Sequence, residues 1–475
     1  MSKMLCQTEV CRSEISKEVF MNVKRLVTSF LSGVVLSAFA VMPVMAQESD
    51  PSKEQFVPVL TYKTGPFAAG GSGVAGGMED YMALLNNRDG GINGIKLVWE
   101  ECDFGYNTER GVECYERLKG KGLKGAPMFM PMSTGVTYAL LERAVADKIT
   151  LLFLGYGRTD ATDGRVFPYG FPAITNYWNQ STTKVQFIAD REGGLDKLKG
   201  MKIVNLHLKH PYGIETIPVW DKMAERFGFE VTHIPVPWPG IDQKSLWLQI
   251  RKIQPDYVIN RNWGISCTVP LREAARIGFP RDHIIGVWWC GAEEDAIPAG
   301  GAAVGYIAAT FHAVGTDFPV IDDIFEHVYG VMQGNISSSR VGSVYHLRGV
   351  ASAIVVTEAI RKAQERQVSQ GQGIGPVSGE EFRWAMENLD LTPERIAELG
   401  ATDVVPPFKI TCQDHEGGGS ARFQQWDGKE WHFVSDWVQP MKDITRPMIE
   451  ASAAQYAEEK GITPRSGMSM GSDCG

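Results

Sequence analysis

Beyond residue 46 the sequence has no apolar run of membrane length, which excludes a spanning helix from the body of the chain. Positive charge is in short supply. There are 47 Lys and Arg against 56 Asp and Glu, for a formal net charge of −9. A chain with that balance is a poor partner for nucleic acid or for an anionic membrane surface. Histidine is sparse, at 9 residues in 475, and no Cys/His group has zinc spacing. His207 and His210 stand three apart on a strand and its exit loop, where such positions face opposite sides, so no metal site is assigned. No nucleophile–base set stands out, so no catalytic residue is named. What the chain does have is aromatic mass. Aromatics make up 10% of it, with 12 Trp, which is too rich for a disordered protein.

The one long apolar run lies near the start. Lys24 and Arg25 precede a stretch from Leu26 to Val41, and Val44-Met45-Ala46 supplies a small residue before Gln47. That is the layout of a cleavable secretory signal, with cleavage after Ala46. It predicts export, and hence an oxidising compartment. Residues Met1 to Phe20 are polar, precede a second methionine, and are left out of the fold reading. Beyond the signal, Cys102, Cys114, Cys267, Cys290, Cys412 and Cys474 remain. Cys102 and Cys114 are the first candidates for a disulfide, being near in sequence across a loop and a helix. Two buried thiols are the alternative.

From Phe56 short apolar runs alternate with amphipathic segments. Strands are expected at 56–61, 95–100, 127–131, 150–154, 202–208, 230–236, 257–260 and 284–287. Helices are expected at 73–86, 108–119, 136–147, 214–227, 244–253, 269–277 and 341–366. The alternation predicts an α/β fold with parallel sheets covered by helices on both faces. Trp426-Asp427-Gly428-Lys429 has the character of a hairpin turn. The tail from Ser466 is rich in Gly, Ser and Met and is expected to be disordered.

Gly71-Ser72-Gly73-Val74-Ala75-Gly76 matches the dinucleotide fingerprint G-x-G-x-x-G and follows a strand. Glu100 and Glu101 fall roughly where a ribose-binding acid would stand. The glycines, however, begin about ten residues after the strand, whereas the fingerprint needs them in the strand–helix turn itself. The competing reading is a flexible loop whose glycines let backbone approach a ligand. No cofactor is expected.

Tyr62-Lys63-Thr64-Gly65-Pro66, Gly90-Gly91-Ile92-Asn93-Gly94, Ser133-Thr134-Gly135, His210-Pro211-Tyr212-Gly213, the run Leu271 to Gly278 and Asp414-His415-Glu416-Gly417 stand in one order along the chain. Together they resemble the periplasmic leucine/isoleucine/valine-binding family, the type I solute-binding proteins of branched-chain amino acid ABC importers. The resemblance spans about Phe56 to Val438. It implies two doubly wound parallel-sheet lobes joined by a three-stranded hinge. Residues 55–175 with 313–402 would form lobe 1, and 176–312 with 403–445 lobe 2. A C-terminal helix and tail would fill 446–475, and 1–46 would be extension and signal.

The resemblance also implies a small-molecule ligand in the cleft, permease subunits of the inner membrane as partners, a periplasmic location and no catalysis. A ligand-sensing subunit, or an enzyme on the same scaffold, are the alternatives. Ser133, Thr134 and Gly135 would hold a carboxylate at a helix N-terminus, a place where the two hydroxyls could equally cap the helix. Tyr156, Gly157, Tyr212, Trp263, Trp288 and Phe67 are further cleft candidates, each aromatic competing with ordinary core packing. The chain departs from the family at Ile284 to Trp288. There the family's acid for the ligand's ammonium gives way to Trp288, followed by Trp289. A buried ammonium without a carboxylate is costly. The expected ligand is therefore an aromatic or apolar acid without an amine, unless Glu293 or Glu294 takes the acid's place.

Overall fold

The computed structural model describes residues 50–466 and Cys474. Strands are labelled β1–β14 and the helices of ten residues or more α1–α9, in chain order. The signal segment and most of the tail from Ser466 lie outside the described residues. Among the described residues, no helix is long and apolar enough to cross a membrane.

β1 (Glu54–Thr61) is buried along almost its whole length, as a parallel strand covered on both faces must be. It pairs in parallel with β2 (Lys96–Asp103), from Glu54 opposite Lys96 to Thr61 opposite Asp103. Its other edge packs beside β3 (Met128–Phe129), which continues in parallel into β4 (Thr150–Leu152) and β5 (Gly170–Phe171). Three helices return the chain between these strands: α1 (Ala68–Asp89), α2 (Thr108–Leu118) and α3 (Thr134–Asp147). α2 starts where Asn107 accepts a hydrogen bond from the Arg110 N–H at 3.0 Å, a side-chain cap on an orphan donor.

α4 (Tyr177–Glu192) leads to the second sheet. β6 (Lys202–Leu208), β7 (Glu230–Val236), β8 (Tyr257–Arg261), β9 (Ile284–Gly286) and β10 (Ile307–Thr310) run parallel there, with α5 (Ile217–Phe227), α6 (Lys244–Ile253) and α7 (Ile265–Ile277) as crossovers. α8 (Val344–Ser369) then lies along α1. A short antiparallel pair, β11 (Asp390–Leu391) with β12 (Phe408–Lys409), follows. Last come the hairpin of β13 (Arg422–Trp426) and β14 (Trp431–Phe433), then α9 (Lys442–Lys460). The hairpin turns at Asp427 and Gly428 as the sequence predicts. It adds two antiparallel strands to β10, giving the order β14–β13–β10–β9–β8–β6–β7. The Trp-rich C-terminal stretch thereby acquires a role. Trp426 and Trp431 meet edge to face at 5.3 Å and cover the sheet's end.

The glycine run corrects the sequence reading. Gly70 to Gly77 do not form a flexible loop; they are the first turns of α1, which begins at Ala68 rather than Gly73. Each glycine costs an exposed helix about 0.5–1 kcal/mol against alanine, so close packing must compensate. A Cβ on Gly77 would stand 2.0 Å from the His346 carbonyl oxygen, and one on Gly73 2.6 Å from the Tyr345 Cβ. Across the same seam a Cβ on Gly349 would meet the Val74 oxygen at 2.2 Å. Gly70 and Gly71 do the same for Trp263 and Tyr62, at 2.5 Å and 2.2 Å. Protein fills the space a pyrophosphate would need, so the glycines are a helix–helix seam and not a nucleotide cradle.

Cys102 is joined to Cys114, tying β2 to α2. Two further pairs appear, Cys267 with Cys290 and Cys412 with Cys474.

Candidate functional site

The carboxyl ends of the strands in both sheets converge on one cavity. Tyr62 follows β1, Tyr106 lies past β2, Ser133 past β3 and Tyr156 past β4. Tyr177 opens α4 after β5, Tyr212 follows β6, Trp263 follows β8 and Trp289 follows β9. Ligands of open α/β sheets sit in this kind of crevice. With Met132 and Thr134 these residues line a cavity of about 20 Å³. That is room for about one water, far below the ~300–1,000 Å³ usual for small-molecule pockets, so a solute enters only as the walls move apart. Its rings meet edge to face in a chain: Tyr106 on Tyr62 at 4.8 Å, Tyr62 on Trp263 at 6.3 Å, Trp263 on Trp289 at 5.3 Å and Trp289 on Tyr156 at 5.8 Å. Such geometry suits the ring quadrupoles and fixes the walls.

The polar atoms divide into those already used and those left over. The Tyr212 hydroxyl donates to the Asn262 carbonyl at 2.9 Å, and Trp289 Nε1 donates to the Gly155 carbonyl at 3.1 Å. Both are spent. The Tyr156 oxygen accepts from the Met132 N–H at 2.9 Å, which leaves its own proton to give. Thr134 Oγ1 and the Tyr177 hydroxyl share one hydrogen bond at 2.7 Å, so one of the two protons is also left. Ser133 is the N-cap residue of α3, yet its hydroxyl makes no capping bond. Its Oγ is buried without a partner, and so is Trp263 Nε1. The Tyr106 and Tyr62 hydroxyls sit close enough to these two atoms to be influenced by them, without hydrogen-bond geometry. Burial pushes the Tyr62, Tyr106, Tyr156 and Tyr177 hydroxyls well above the usual phenol range, and Tyr212 to about 12. All five stay protonated at neutral pH. The first N–H groups of α3, which have no intrahelical acceptor, add to the donors.

Among the described residues, no Asp or Glu lines this cavity. The nearby acids are engaged elsewhere. Glu293 accepts from the Val344 N–H at 3.0 Å, Glu294 pairs with Arg340 at 2.8 Å, and Asp295 accepts from the Tyr345 hydroxyl at 3.0 Å. The site can therefore give hydrogen bonds freely and has no anion to offer a cation.

Of the residues singled out from sequence, Ser133, Thr134, Tyr156, Tyr212 and Trp263 meet in the cavity. Four do not. Trp288 is wholly buried, its ring 4.5 Å from Phe311 and beneath Gly155, because the short 3₁₀ turn Trp288–Cys290 sends adjacent side chains in different directions. Trp289 takes the place in the wall instead. Gly157 faces Phe153, and its φ of +86° marks it as a turn residue. Phe67 precedes α1 and packs on Tyr106 and Trp238 at 4.8 and 4.7 Å, bracing the wall from outside. Gly135 turns toward Thr108 and His210 and lines a separate open groove. The sequence reading did not assign Tyr62, Tyr106, Met132 or Tyr177 to the site, and it named Trp289 only beside Trp288. Their shared position past strand ends is the signal that finds them.

A family model described as periplasmic binding protein matches residues 54–430. No curated protein sequence matches the chain. A crystal structure described as an ABC transporter permease from the Pseudomonas fluorescens group is 44% identical. It superposes with a TM-score of 0.81 over 88% of this chain and 100% of that one. A branched chain amino acid ABC transporter from Thermus thermophilus with bound valine is 20% identical, with a TM-score of 0.69 over 84% of this chain and 99% of that one. A solute binding protein of an R. palustris ABC transporter in complex with benzoate is 17% identical, with a TM-score of 0.61 over 82% and 97%. The last two share the fold with this chain.

Proposed function

The chain belongs to the periplasmic binding protein family, as a substrate-binding component of the ABC transporter type, and from that premise we propose that it captures a small aromatic or apolar carboxylic acid in preference to an amino acid. One observation carries this reading: the cavity's unspent polar atoms are donors, and no carboxylate lines it. A carboxylate placed against Ser133, Thr134, Tyr156 and the start of α3 receives several charge-assisted hydrogen bonds. An ammonium in the same space meets hydroxyl oxygens and ring faces but no carboxylate, and burying it without a counter-charge is costly. Proteins of this fold hold valine in one case and benzoate in another, so the fold itself does not choose between them.

In this reading residues 55–175 and 313–402 form one lobe and 176–312 and 403–445 the other. The lobes close on the solute by hinge motion. The signal peptide delivers the chain to the periplasm, where the closed form docks on inner-membrane permease subunits. The protein binds its solute and does no chemistry on it.

The test is a thermal-shift series on the exported chain, pairing aliphatic and aromatic amino acids with the corresponding acids that lack the amine. A ligand at 100 times its Kd stabilises the folded state by about 2.7 kcal/mol. Stabilisation by the amine-free acids alone is expected. Stabilisation by leucine, isoleucine or valine in preference to their deaminated analogues would sink the reading.

A further inference from the structure

Two buried arginines lie behind the aromatic walls and touch nothing that neutralises them. Arg261, at the end of β8, is stacked between two wall residues. Its guanidinium carbon is 3.9 Å from the Tyr177 ring centre and 4.3 Å from that of Tyr212. It keeps a hydrogen bond from Nη2 to the Tyr212 carbonyl at 3.0 Å, and its Nε has no partner. Arg348, on α8, stands 4.9 Å from the Trp289 ring centre and is 1% exposed. Its Nε, Nη1 and Nη2 are all without partners. A guanidinium with three idle nitrogens in the interior is rare, because such groups are normally paired.

The surroundings compensate these charges only in part: Asp295 and Glu293 act on Arg348, but weakly. Burial pushes Asp295 well above the usual carboxylate range and Glu293 to about 7, which weakens both as counter-charges. Arg348 is itself lowered to about 10 by burial, and so stays charged at neutral pH. Behind Arg261, burial and the arginine's own charge hold Lys184 well below its ordinary range. A cation on the outer face of a Tyr or Trp is attracted to its quadrupole, and its positive potential reaches the cavity on the other side without being screened by water.

We propose that Arg261 and Arg348 are specificity-determining residues that select an anionic solute from behind the aromatic walls, without touching it. The idea rests on the carboxylic-acid reading above and adds to it the source of the charge preference. Hydrogen-bond donors alone discriminate poorly between a carboxylate and its uncharged amide, since the amide oxygen accepts too. A partly compensated positive charge at a distance discriminates by charge alone.

The experiment compares the dissociation constants of benzoate, phenylacetate and 4-hydroxybenzoate with those of their primary amides. It is run on the full mature chain and on R261Q, R261K, R348Q and R348K. The wild type should favour the best acid over its amide. Each Gln variant should lower that ratio by about tenfold, the size of one charge acting across a wall at intermediate dielectric, while the Lys variants retain most of it. Folded Gln variants with an unchanged acid-to-amide ratio overturn the inference but leave the acid reading standing. A wild type that shows no acid preference overturns both.

A second measurement does not need the Arg variants to fold. The bound acid, labelled with ¹³C at its carboxyl, is titrated on S133A, which lacks the unpartnered hydroxyl. A field from the two arginines keeps the bound acid ionised at least one pH unit below its value in water. A carboxyl that titrates at or above its value in water overturns the proposal.

Discussion

The two sides of the cavity are built from the same residue types and behave differently. On the side formed by the first sheet, Ser133, Tyr156 and one member of the Thr134–Tyr177 pair keep protons to give. On the side formed by the second sheet, Tyr212 and Trp289 have already given theirs to Asn262 and Gly155. One wall is a set of waiting donors; in the other, Trp263 Nε1 is unpartnered but the polar edges of Tyr212 and Trp289 are tied down. A solute with a charged end and an apolar body has one way to lie between them. Residue type alone does not reveal this. The difference lies in which hydrogen bonds are complete before a ligand arrives.

The most drastic way to break the contrast is Gly155→Ala. Gly155 has φ of +65°, and an added Cβ would fall 1.3 Å from Trp288 Cζ2. The same residue's carbonyl receives the bonds from Trp289 and Gln180 that immobilise the passive wall. Overpacking together with a strained backbone should destabilise the protein by about 3 kcal/mol or more. Chemical denaturation measures it, and G155A combined with Trp288→Ala should recover part of the loss if the clash is its cause.

A sharper cut is Ser133→Ala. A capping serine changed to alanine normally costs about 1 kcal/mol of stability. Ser133 makes no capping bond, so its removal should leave the melting temperature of the free protein unchanged. It should weaken acid binding by about 10- to 100-fold, the worth of a hydrogen bond to a charged group. Loss of stability with affinity intact would make Ser133 an ordinary cap.

The mildest comparison pairs two Tyr→Phe changes. Tyr212→Phe should cost about 1 kcal/mol of stability, because the buried Asn262 carbonyl loses its donor. Tyr156→Phe should cost a similar amount, because the buried Met132 N–H loses its acceptor, and should cost affinity as well, by about 3- to 10-fold. Calorimetric binding and melting of the two variants, side by side, would show whether the walls differ as described.

Much of the second sheet was legible in the sequence. β6, β7 and α6 fall where their apolar periodicity placed them, at Lys202–Leu208, Glu230–Val236 and Lys244–Ile253. The start of α1 was not, because glycines carry no hydrophobic pattern and read as loop until the facing helix is known. The candidate site was about half legible. Ser133 and Thr134 announced themselves by chemistry and position. Trp288 and Trp289 could not be told apart, since a single 3₁₀ turn decides which ring meets the core. Tyr62, Tyr106 and Tyr177 were not assigned to the site, because only the converging strand ends bring them to one cavity.

The glycine seam between α1 and α8 has a consequence for where sensitivity to mutation should lie. α1 holds Tyr62 and Trp263 in place through Gly71 and Gly70, and α8 carries Tyr345 and Arg348. At Gly77 and Gly349 the two helices touch backbone to backbone, with no side chain between them to absorb a change. One added methyl at Gly77 or Gly349 has to move an entire helix, and with it the floor of the cavity. Natural variation in this protein should therefore be freer at many positions facing the solute than at these remote glycines, and distance from the ligand will be a poor guide to which substitutions alter binding.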